Sequence, residues 1–272
     1  MNALDIIKIG SKLLKKNKIS SHILDSEILL SRTLKKTREE ILINLDQEIS
    51  SEKFIKFKHY LSRRSKNEPI AYILGNKEFW SKNFIVSNYT LIPRPETELL
   101  VQGLSEMFKK KKISILDIGT GSGCIIVSLL SNLRQSSGIG IDISKCAIAT
   151  ANKNRIKHNL QNRLKLLNKP LDEIHHQKFD LIVSNPPYIK RKDIKNLSDD
   201  IKKYEPRIAL DGGNDGLDLT KKVIYKSKDI LKIEGTLALE IGNEQFKKVS
   251  KILLDNNFRV LKVIKDYKNN VR

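Results

Sequence analysis

The chain has 272 residues, of which 39% are hydrophobic and 30% charged, so it can bury the core of one large domain and a smaller one. No apolar stretch approaches the roughly 18 residues of a membrane span, and the first residues lack the basic-then-apolar pattern of a secretion signal. Two cysteines, Cys124 and Cys146, are too few for a disulfide framework or a zinc site. We therefore expect a soluble, cytoplasmic protein without a membrane partner.

The protein is strongly basic. Lysine and arginine number 51 against 31 aspartates and glutamates, a formal net charge of +20 that is typical of proteins that meet nucleic acid. Only 12 of the 51 cations are arginine, the side chain that forms paired hydrogen bonds to phosphates and base edges. The excess is therefore compatible with a solvated lysine-rich surface and with attraction to an RNA-rich particle such as the ribosome.

The first third of the chain is predicted to be helical. Residues 1–75 carry apolar side chains at helical spacing and almost no strand pattern, which predicts a small helical bundle. The bundle could be a structural cap or could grip a macromolecular substrate. Residues 76–95 then form a hairpin, over 78–86, and a stiff link held extended by Pro93 and Pro95.

From residue 96 to residue 272, strand patterns alternate with helix patterns, which predicts a parallel, doubly wound α/β sheet. The predicted strands are 113–119, 138–142, 163–167, 179–184, 236–241 and a final strand at 258–267. The predicted helices are 96–109, 124–134, 145–157, 215–232 and 245–256.

One of these strands stops abruptly at a polar tetrapeptide. The apolar run 179–184 is followed by Asn185, Pro186, Pro187 and Tyr188, and the two prolines can neither continue a ladder nor begin a helix. Ligands bind at the carboxyl ends of strands in open α/β sheets. Taken alone, however, the tetrapeptide would also suit a plain strand followed by a proline-rich turn.

A glycine-rich segment follows the first strand of the sheet and opens a helix. It consists of Asp117, Ile118, Gly119, Thr120, Gly121, Ser122 and Gly123. Glycines let the backbone adopt positive φ and approach a ligand closely, and a helix N-terminus offers free N–H groups. Counted from Gly121, Ile126 takes the place of the third glycine of the dinucleotide pattern, which favours a ligand without phosphates.

The second strand of the sheet ends at Asp142, about twenty residues further on. A carboxylate at this position can accept hydrogen bonds from both hydroxyls of a ribose. An aspartate just before Ser144 could also be no more than part of a helix cap. Together with the glycine segment, Asp142 predicts a ligand that contains adenosine.

These features resemble the class I S-adenosylmethionine methyltransferases that modify planar nitrogen atoms. The resemblance narrows to the peptide chain release factor glutamine N5-methyltransferases through three further segments: EPIAYILG with EFW (68–80), LIPRPETE (91–98) and EPRIALDGGNDGL (205–217). It implies a substrate-recognition domain at 1–75 and a Rossmann-like catalytic domain at 96–272. It also implies S-adenosyl-L-methionine as cofactor, S-adenosyl-L-homocysteine as product, no metal, and the GGQ glutamine of release factors as acceptor.

The resemblance also assigns site residues. Catalytic roles fall to Asn185, Pro186, Pro187 and Tyr188. Cofactor contacts fall to Asp117, Gly119, Thr120, Gly121, Ser122, Gly123, Asp142, Pro170 and Asn185. The family usually has an acidic residue and an aromatic beside the adenine, where this chain has Asn168-Lys169-Pro170. We expect Asn168 to hydrogen-bond the base and Pro170 to pack on it.

An amide acceptor needs a particular kind of site. The lone pair of an amide nitrogen is delocalised into the carbonyl, so the site must fix the plane of the amide and aim the nitrogen at the methyl donor. Two acceptors directed at its two N–H groups can do so, the Asn185 side-chain oxygen and the Pro186 carbonyl. Tyr188 offers an apolar face on which the planar group can stack.

Two other hypotheses about function remain open. An enzyme with the same cofactor and tetrapeptide could methylate an exocyclic amine of a base in RNA or DNA, which the charge favours. A non-catalytic nucleic-acid or ribosome-binding protein could retain the cofactor fold, although intact Asn185 and intact glycines argue against it. The adjacent histidines His175 and His176 are expected in a solvated loop.

Overall fold

The computed structural model describes residues 1–175 and 177–272, so that His176, half of the predicted loop pair, lies outside the described residues. The chain divides into two units: Met1–Gly75 with Ser198–Tyr204, and Asn76–Leu197 with Glu205–Arg272. Within the described ranges, each helix is too short or too polar to cross a membrane.

The helices are α1 (Ala3–Lys16), α2 (His22–Leu34), α3 (Arg38–Ile43), α4 (Ser51–Ser65), α5 (Ile70–Leu74), α6 (Pro95–Met107), α7 (Cys124–Asn132), α8 (Lys145–Lys157), α9 (Asp199–Tyr204), α10 (Asp218–Ile230) and α11 (Phe246–Asp255). The strands are β1 (Asn76–Phe79), β2 (Lys82–Ile85), β3 (Ser114–Ile118), β4 (Ser137–Asp142), β5 (Leu164–Asn168), β6 (Phe179–Ser184) and β7 (Leu231–Leu239).

The first unit is a helical bundle, as predicted. Its core joins α1, α2 and α4 through fully buried side chains that include Ile6, Leu29 and Phe57. Two of its helices, α3 and α5, have only six and five residues. Such short helices leave too little periodicity to be found in a sequence, and α3 is instead held by a capping box between Thr37 and Glu40.

The second unit contains the predicted parallel sheet. Its five strands run in the order β5-β4-β3-β6-β7, and every neighbouring pair is parallel. Alternate side chains of one strand face opposite layers: Ile115 packs with α6 and α7, whereas Leu116 packs with α10. The sheet is thus doubly wound, and its strand order reverses between β3 and β6. A crevice opens at the carboxyl ends of strands where such a reversal occurs.

The predicted hairpin is present as β1 and β2, which pair antiparallel. Trp80 and Ser81 connect the strands with φ of 52° and 51°. Positive φ at both central residues is the geometry of a type I′ turn, whose twist matches that of the flanking strands. Phe79 and Phe84 of the hairpin are buried in the cluster that contains α6 and α7, so the hairpin is part of this unit's core.

The predicted final strand at 258–267 was wrong. The described residues there form only an isolated antiparallel bridge between Lys265 and Val271. For the last residues of the segment the physical reason is Asp266, whose carboxylate accepts hydrogen bonds from the backbone N–H groups of Lys268 and Asn270 and from the Arg272 guanidinium. This turn folds the segment back on itself instead of along β7.

Candidate active site

The glycine segment forms a tight turn between β3 and α7. Gly119, Gly121 and Gly123 have φ of 71°, 57° and 81°, a left-handed conformation that side chains disfavour. The N–H groups of Gly119 and Thr120 both donate to the Ile141 carbonyl at 2.9 Å, which ties the turn to β4. The glycines are therefore required by the backbone path.

Asp117 lies fully buried beneath this turn. Its Oδ2 accepts a hydrogen bond from the Thr120 hydroxyl at 2.7 Å. Its Oδ1 and the buried Ser122 hydroxyl have no hydrogen-bond partner among the described residues. Burial raises the pKa of the Asp117 carboxyl to about 7, the Thr120 hydrogen bond opposes this, and the charge of Asp142 adds to it. Buried polar atoms without partners are costly, so a ligand that supplies donors fits this place.

Asp142 ends β4 and faces the same turn. Its Oδ2 accepts from the Gly121 N–H at 3.0 Å, and its Oδ1 accepts from the Ser144 N–H at 2.9 Å. Burial raises the pKa of this carboxyl, whereas the backbone hydrogen bonds lower it. Ser144 itself caps α8 by accepting from the Ala147 N–H at 3.2 Å. Each carboxylate oxygen keeps further lone pairs for a ligand.

A cavity of about 170 Å³ lies over the ends of β3, β4 and β6. The predicted site residues that line it are Gly119, Thr120, Gly121, Ser122, Asp142, Asn185 and Pro187. The predicted site residues outside its lining are Asp117, Gly123, Pro170, Pro186 and Tyr188.

Near Pro170, the lining instead contains Lys169 and Leu171. The Asn168 side chain donates to the Asp142 carbonyl at 2.9 Å, so one of its two amide N–H groups is already used. A larger cavity of about 840 Å³ runs along β7, α11 and residues 258–264, away from the predicted site residues.

The tetrapeptide places its amide and one carbonyl at the end of β6. Asn185 is half-buried, and its Nδ2 donates to the Thr97 hydroxyl at 3.3 Å. Within the described part of the chain, neither Asn185 Oδ1 nor the Pro186 carbonyl accepts a hydrogen bond. Two acceptors of adjacent residues are thus without a donor among the described residues.

Behind Asn185 lies a buried carboxylate that the sequence reasoning missed. Glu240 is 2% exposed, and its Oε2 accepts from the Thr97 hydroxyl at 2.6 Å. Its Oε1 lies 3.5 Å from the Tyr188 hydroxyl, a long contact. Burial raises the pKa of Glu240, and burial together with the charge of Glu240 raises that of Tyr188 to about 12. A signal existed: Glu240 is an acidic residue near the end of the apolar run that was predicted as the strand 236–241.

The backbone of the tetrapeptide is held from a second side. Gln245 donates from Nε2 to the carbonyls of Tyr188 and Gly216, both at 3.0 Å. A Cβ atom on Gly212 would come within 2.6 Å of the Pro187 carbonyl, and one on Gly216 within 2.5 Å of the Tyr188 carbonyl. Glycine is therefore needed at both positions for the two loops to touch.

The proline-rich link is fixed to the same unit by a buried acid. Glu205 accepts from the Arg94 guanidinium at 2.6 Å and from the Ile92 N–H at 3.2 Å. The side chain of Glu205 is 1% exposed. Arg94 lines the cavity, and no sequence pattern pairs it with a residue 111 positions away.

Asn154 is a further residue without a sequence motif. It is fully buried and exchanges hydrogen bonds with the N–H and carbonyl of Ile85, while its Nδ2 also donates to the Ser122 carbonyl at 2.8 Å. The hairpin and the glycine turn are joined through this one side chain. The sequence did contain one indication of its role: Asn154 is a polar residue on the same buried face of α8 as Ala147 and Ala151.

Metal ligands are not clustered in the described ranges: no group of three or more histidines, cysteines, aspartates or glutamates there could hold an ion.

Comparison with known proteins gives two family-model matches. Residues 5–75 match the PrmC N-terminal domain, and residues 94–203 match the methyltransferase small domain. A solved S-adenosylmethionine-dependent methyltransferase from Agrobacterium tumefaciens superposes with a TM-score of 0.50 at 14% identity, over 67% of this chain and 57% of its own. This likeness supports the Rossmann-like methyltransferase fold.

Two relatives extend over nearly the whole chain. A release factor glutamine methyltransferase from Clostridium botulinum is 42% identical over 266 residues, 96% of this chain and 94% of the relative. One from Buchnera aphidicola is 43% identical over 248 residues, 91% of this chain and 90% of the relative. The chain therefore belongs to the release factor glutamine methyltransferase family.

Proposed function

We propose that this protein transfers a methyl group from S-adenosyl-L-methionine to the side-chain amide nitrogen, N5, of the glutamine in the GGQ motif of peptide chain release factors, and so tunes translation termination. The observation that carries the proposal is the pair of unoccupied acceptors, Asn185 Oδ1 and the Pro186 carbonyl, next to the cavity over the glycine turn. A primary amide has two N–H groups to match them.

The cavity suits the cofactor chemically. Asp142 has lone pairs left for ribose hydroxyls, and the buried Ser122 hydroxyl, which also lines the cavity, has no hydrogen-bond partner among the described residues. Leu171 and Lys169 flank the region in which we expect the adenine, with Pro170 beside them. When bound, S-adenosyl-L-methionine supplies an electrophilic methyl group and becomes S-adenosyl-L-homocysteine.

The protein's own part in catalysis is positioning. Asn185 and Pro186 hold the plane of the glutamine amide, and Pro187 and Tyr188 shape the face on which it lies. Both acceptors stabilise positive charge that develops on the amide nitrogen, which then loses a proton. Because no side-chain base removes a proton from a neutral amide at neutral pH, proximity and orientation supply most of the rate.

The rest of the chain serves substrate delivery in this proposal. The helical domain at 1–75 recognises the release factor, and residues 76–95 connect it to the catalytic domain at 96–272. The reaction takes place in the cytoplasm, where the basic surface favours proximity to ribosomal RNA. Charge is also the specific observation behind a second candidate, methylation of an exocyclic amine of a base, since +20 suits a nucleic-acid substrate.

The test is transfer of label from S-adenosyl-L-methionine to a purified release factor, beside the same factor with its GGQ glutamine changed and beside naked ribosomal RNA. We expect label on the unchanged factor alone. Label on RNA but not on the factor would replace the proposal with the second candidate. Label on the changed factor would move the acceptor to another residue.

A further inference from the structure

Two residues that no motif singles out hold the amide of Asn185. Thr97 lies in the first turn of α6, Glu240 follows β7, and Asn185 follows β6. Thr97 is 3% exposed and Glu240 2% exposed. Three distant segments therefore place a carboxylate, a hydroxyl and an amide in one hydrogen-bonded chain at the cavity.

Glu240 sets the direction of these hydrogen bonds. The Thr97 hydroxyl donates its hydrogen to Glu240 Oε2, 2.6 Å away. The oxygen of Thr97 can then only accept from Asn185, whose Nδ2 lies at 3.3 Å. The amide of Asn185 turns its NH₂ group toward Thr97 and leaves Oδ1 on the opposite side, where no described residue donates to it.

Stability alone does not explain the carboxylate. Burial disfavours its ionised form, and its side-chain partners among the described residues are Thr97 and, more distantly, Tyr188. Arg272 offsets part of this cost and Glu96 adds to it. A neutral side chain of the same shape would avoid most of the desolvation penalty.

We propose that Glu240 and Thr97 are positioning residues for methyl transfer, which hold the Asn185 amide in the one orientation that presents Oδ1 to the acceptor nitrogen. The inference rests on the proposed function. A reversed amide would place an NH₂ group against the NH₂ group of the acceptor, and neither could accept. The orientation of Asn185 therefore decides whether the acceptor is held.

The kinetic test uses substitutions that preserve shape. Thr97→Val removes the hydroxyl, and Glu240→Gln lets the Thr97 hydroxyl donate to Asn185 instead, so that the amide can reverse. We expect each to lower kcat by about 10- to 100-fold, as misplaced groups do, while the Kd for cofactor stays within about threefold. Thr97→Ser should restore most of the transfer lost in Thr97→Val. The control is Glu244→Gln, which removes the same negative charge from an exposed residue near Glu240 in the sequence. It should alter neither kcat nor the Kd for cofactor.

A spectroscopic test needs no substrate. The side-chain NH₂ resonances of Asn185, assigned by their loss in Asn185→Ala, should form a single pair protected from exchange in the wild type and in Thr97→Ser. In Thr97→Val and Glu240→Gln the pair should shift or double and lose its protection. Unchanged resonances in both variants would overturn the inference.

The outcomes separate this inference from the proposed function. Full transfer to the release factor by both Thr97→Val and Glu240→Gln would overturn the positioning role and leave the function standing. If RNA is labelled instead, the proposed function fails, but variant rates on RNA and the Asn185 resonances still decide the positioning role. Parallel loss of cofactor affinity and of thermal stability in both variants would show a merely structural role.

Discussion

Two regions at the carboxyl ends of the strands of the same sheet are built in different ways, and we call them the glycine-loop edge and the Asn185 edge. The glycine-loop edge consists of residues 117–123 and Asp142, at the ends of β3 and β4. The Asn185 edge consists of Asn185, Thr97 and Glu240, gathered from the ends of β6 and β7 and from α6. The first comes from one short stretch of chain, whereas Thr97 and Glu240 of the second are 143 positions apart.

The two edges also differ in what holds their key side chain. Asp142 accepts from the backbone N–H groups of Gly121 and Ser144, so its carboxylate is held without a neighbouring side chain. Asn185 is held by the hydroxyl of Thr97, which in turn depends on a carboxylate. The glycine-loop edge should therefore tolerate side-chain changes in its neighbours, and the Asn185 edge should not.

The largest expected effect separates the edges directly. Asn185→Ala removes one of the two acceptors for the substrate amide, and we expect kcat to fall about a thousandfold, the cost of losing one preorganised hydrogen-bonding group. The Kd for cofactor should stay within about twofold, because the glycine turn and Asp142 are untouched. Single-turnover transfer and calorimetric titration measure the two quantities. Equal losses in both would contradict the division into two edges.

The next effect tests the buried acid of the glycine-loop edge. Burial raises the pKa of Asp117 from 3.8 to about 7. The folded state then binds the proton more tightly than the unfolded state, so the contribution of Asp117 to stability is complete below the unfolded pKa and is lost as pH rises through about 7.

Asp117→Asn removes this dependence. We expect the variant without cofactor to unfold with a free energy as much as about 4 kcal/mol higher than wild type at pH of about 8, and equal to it at pH of about 4. Denaturant unfolding at both pH values measures the difference. The exposed Glu106→Gln serves as the control for charge. A difference that does not change with pH would mean that Asp117 is already ionised at low pH.

The contrast between the edges also explains what the sequence could predict. Positive-φ glycines and an acid at a strand end are local features, so the turn and Asp142 could be located from residues 113–142 alone. Thr97 could not be located from sequence, because the residues in the first turn of a helix do not indicate which distant strand end that turn will contact. Glu240 was missed because it lay inside the predicted strand 236–241, although an acidic residue near the end of an apolar run was an indication, and β7 pairs with β6, the strand that precedes Asn185.

The strand predicted at residues 258–267 from its apolar pattern was wrong for a related reason. Alternating apolar side chains record a preference for extended backbone but do not name the strand that will pair with it. Asp266 accepts hydrogen bonds from four donor groups of residues 268–272, which fold the end of the segment into a local turn. The central strands β3 and β6 were located correctly because almost every residue of each is buried, which gives a continuous apolar run in the sequence.

A moderate effect is expected at the ribose end of the glycine-loop edge. Asp142→Ala removes the carboxylate proposed to bind the ribose hydroxyls, and hydrogen bonds to a charged group contribute roughly 1.5–3 kcal/mol. We expect the Kd for cofactor to rise about 10- to 150-fold, with kcat at saturating cofactor within about threefold. Calorimetric titration gives the Kd. An unchanged Kd would remove Asp142 from the site and leave it as part of a turn.

The smallest effect probes the backbone support of Asp142. Ser144→Ala deletes the hydroxyl that caps α8 but keeps the N–H that donates to Asp142. Loss of a cap typically costs about 1 kcal/mol of stability, measurable by denaturant unfolding, while the Kd for cofactor should stay within about twofold. Thr97→Val deletes a hydroxyl of the same size at the Asn185 edge and should reduce kcat strongly. If Ser144→Ala instead weakens the cofactor as much as Asp142→Ala does, the glycine-loop edge depends on side chains too, and the distinction between the two edges fails.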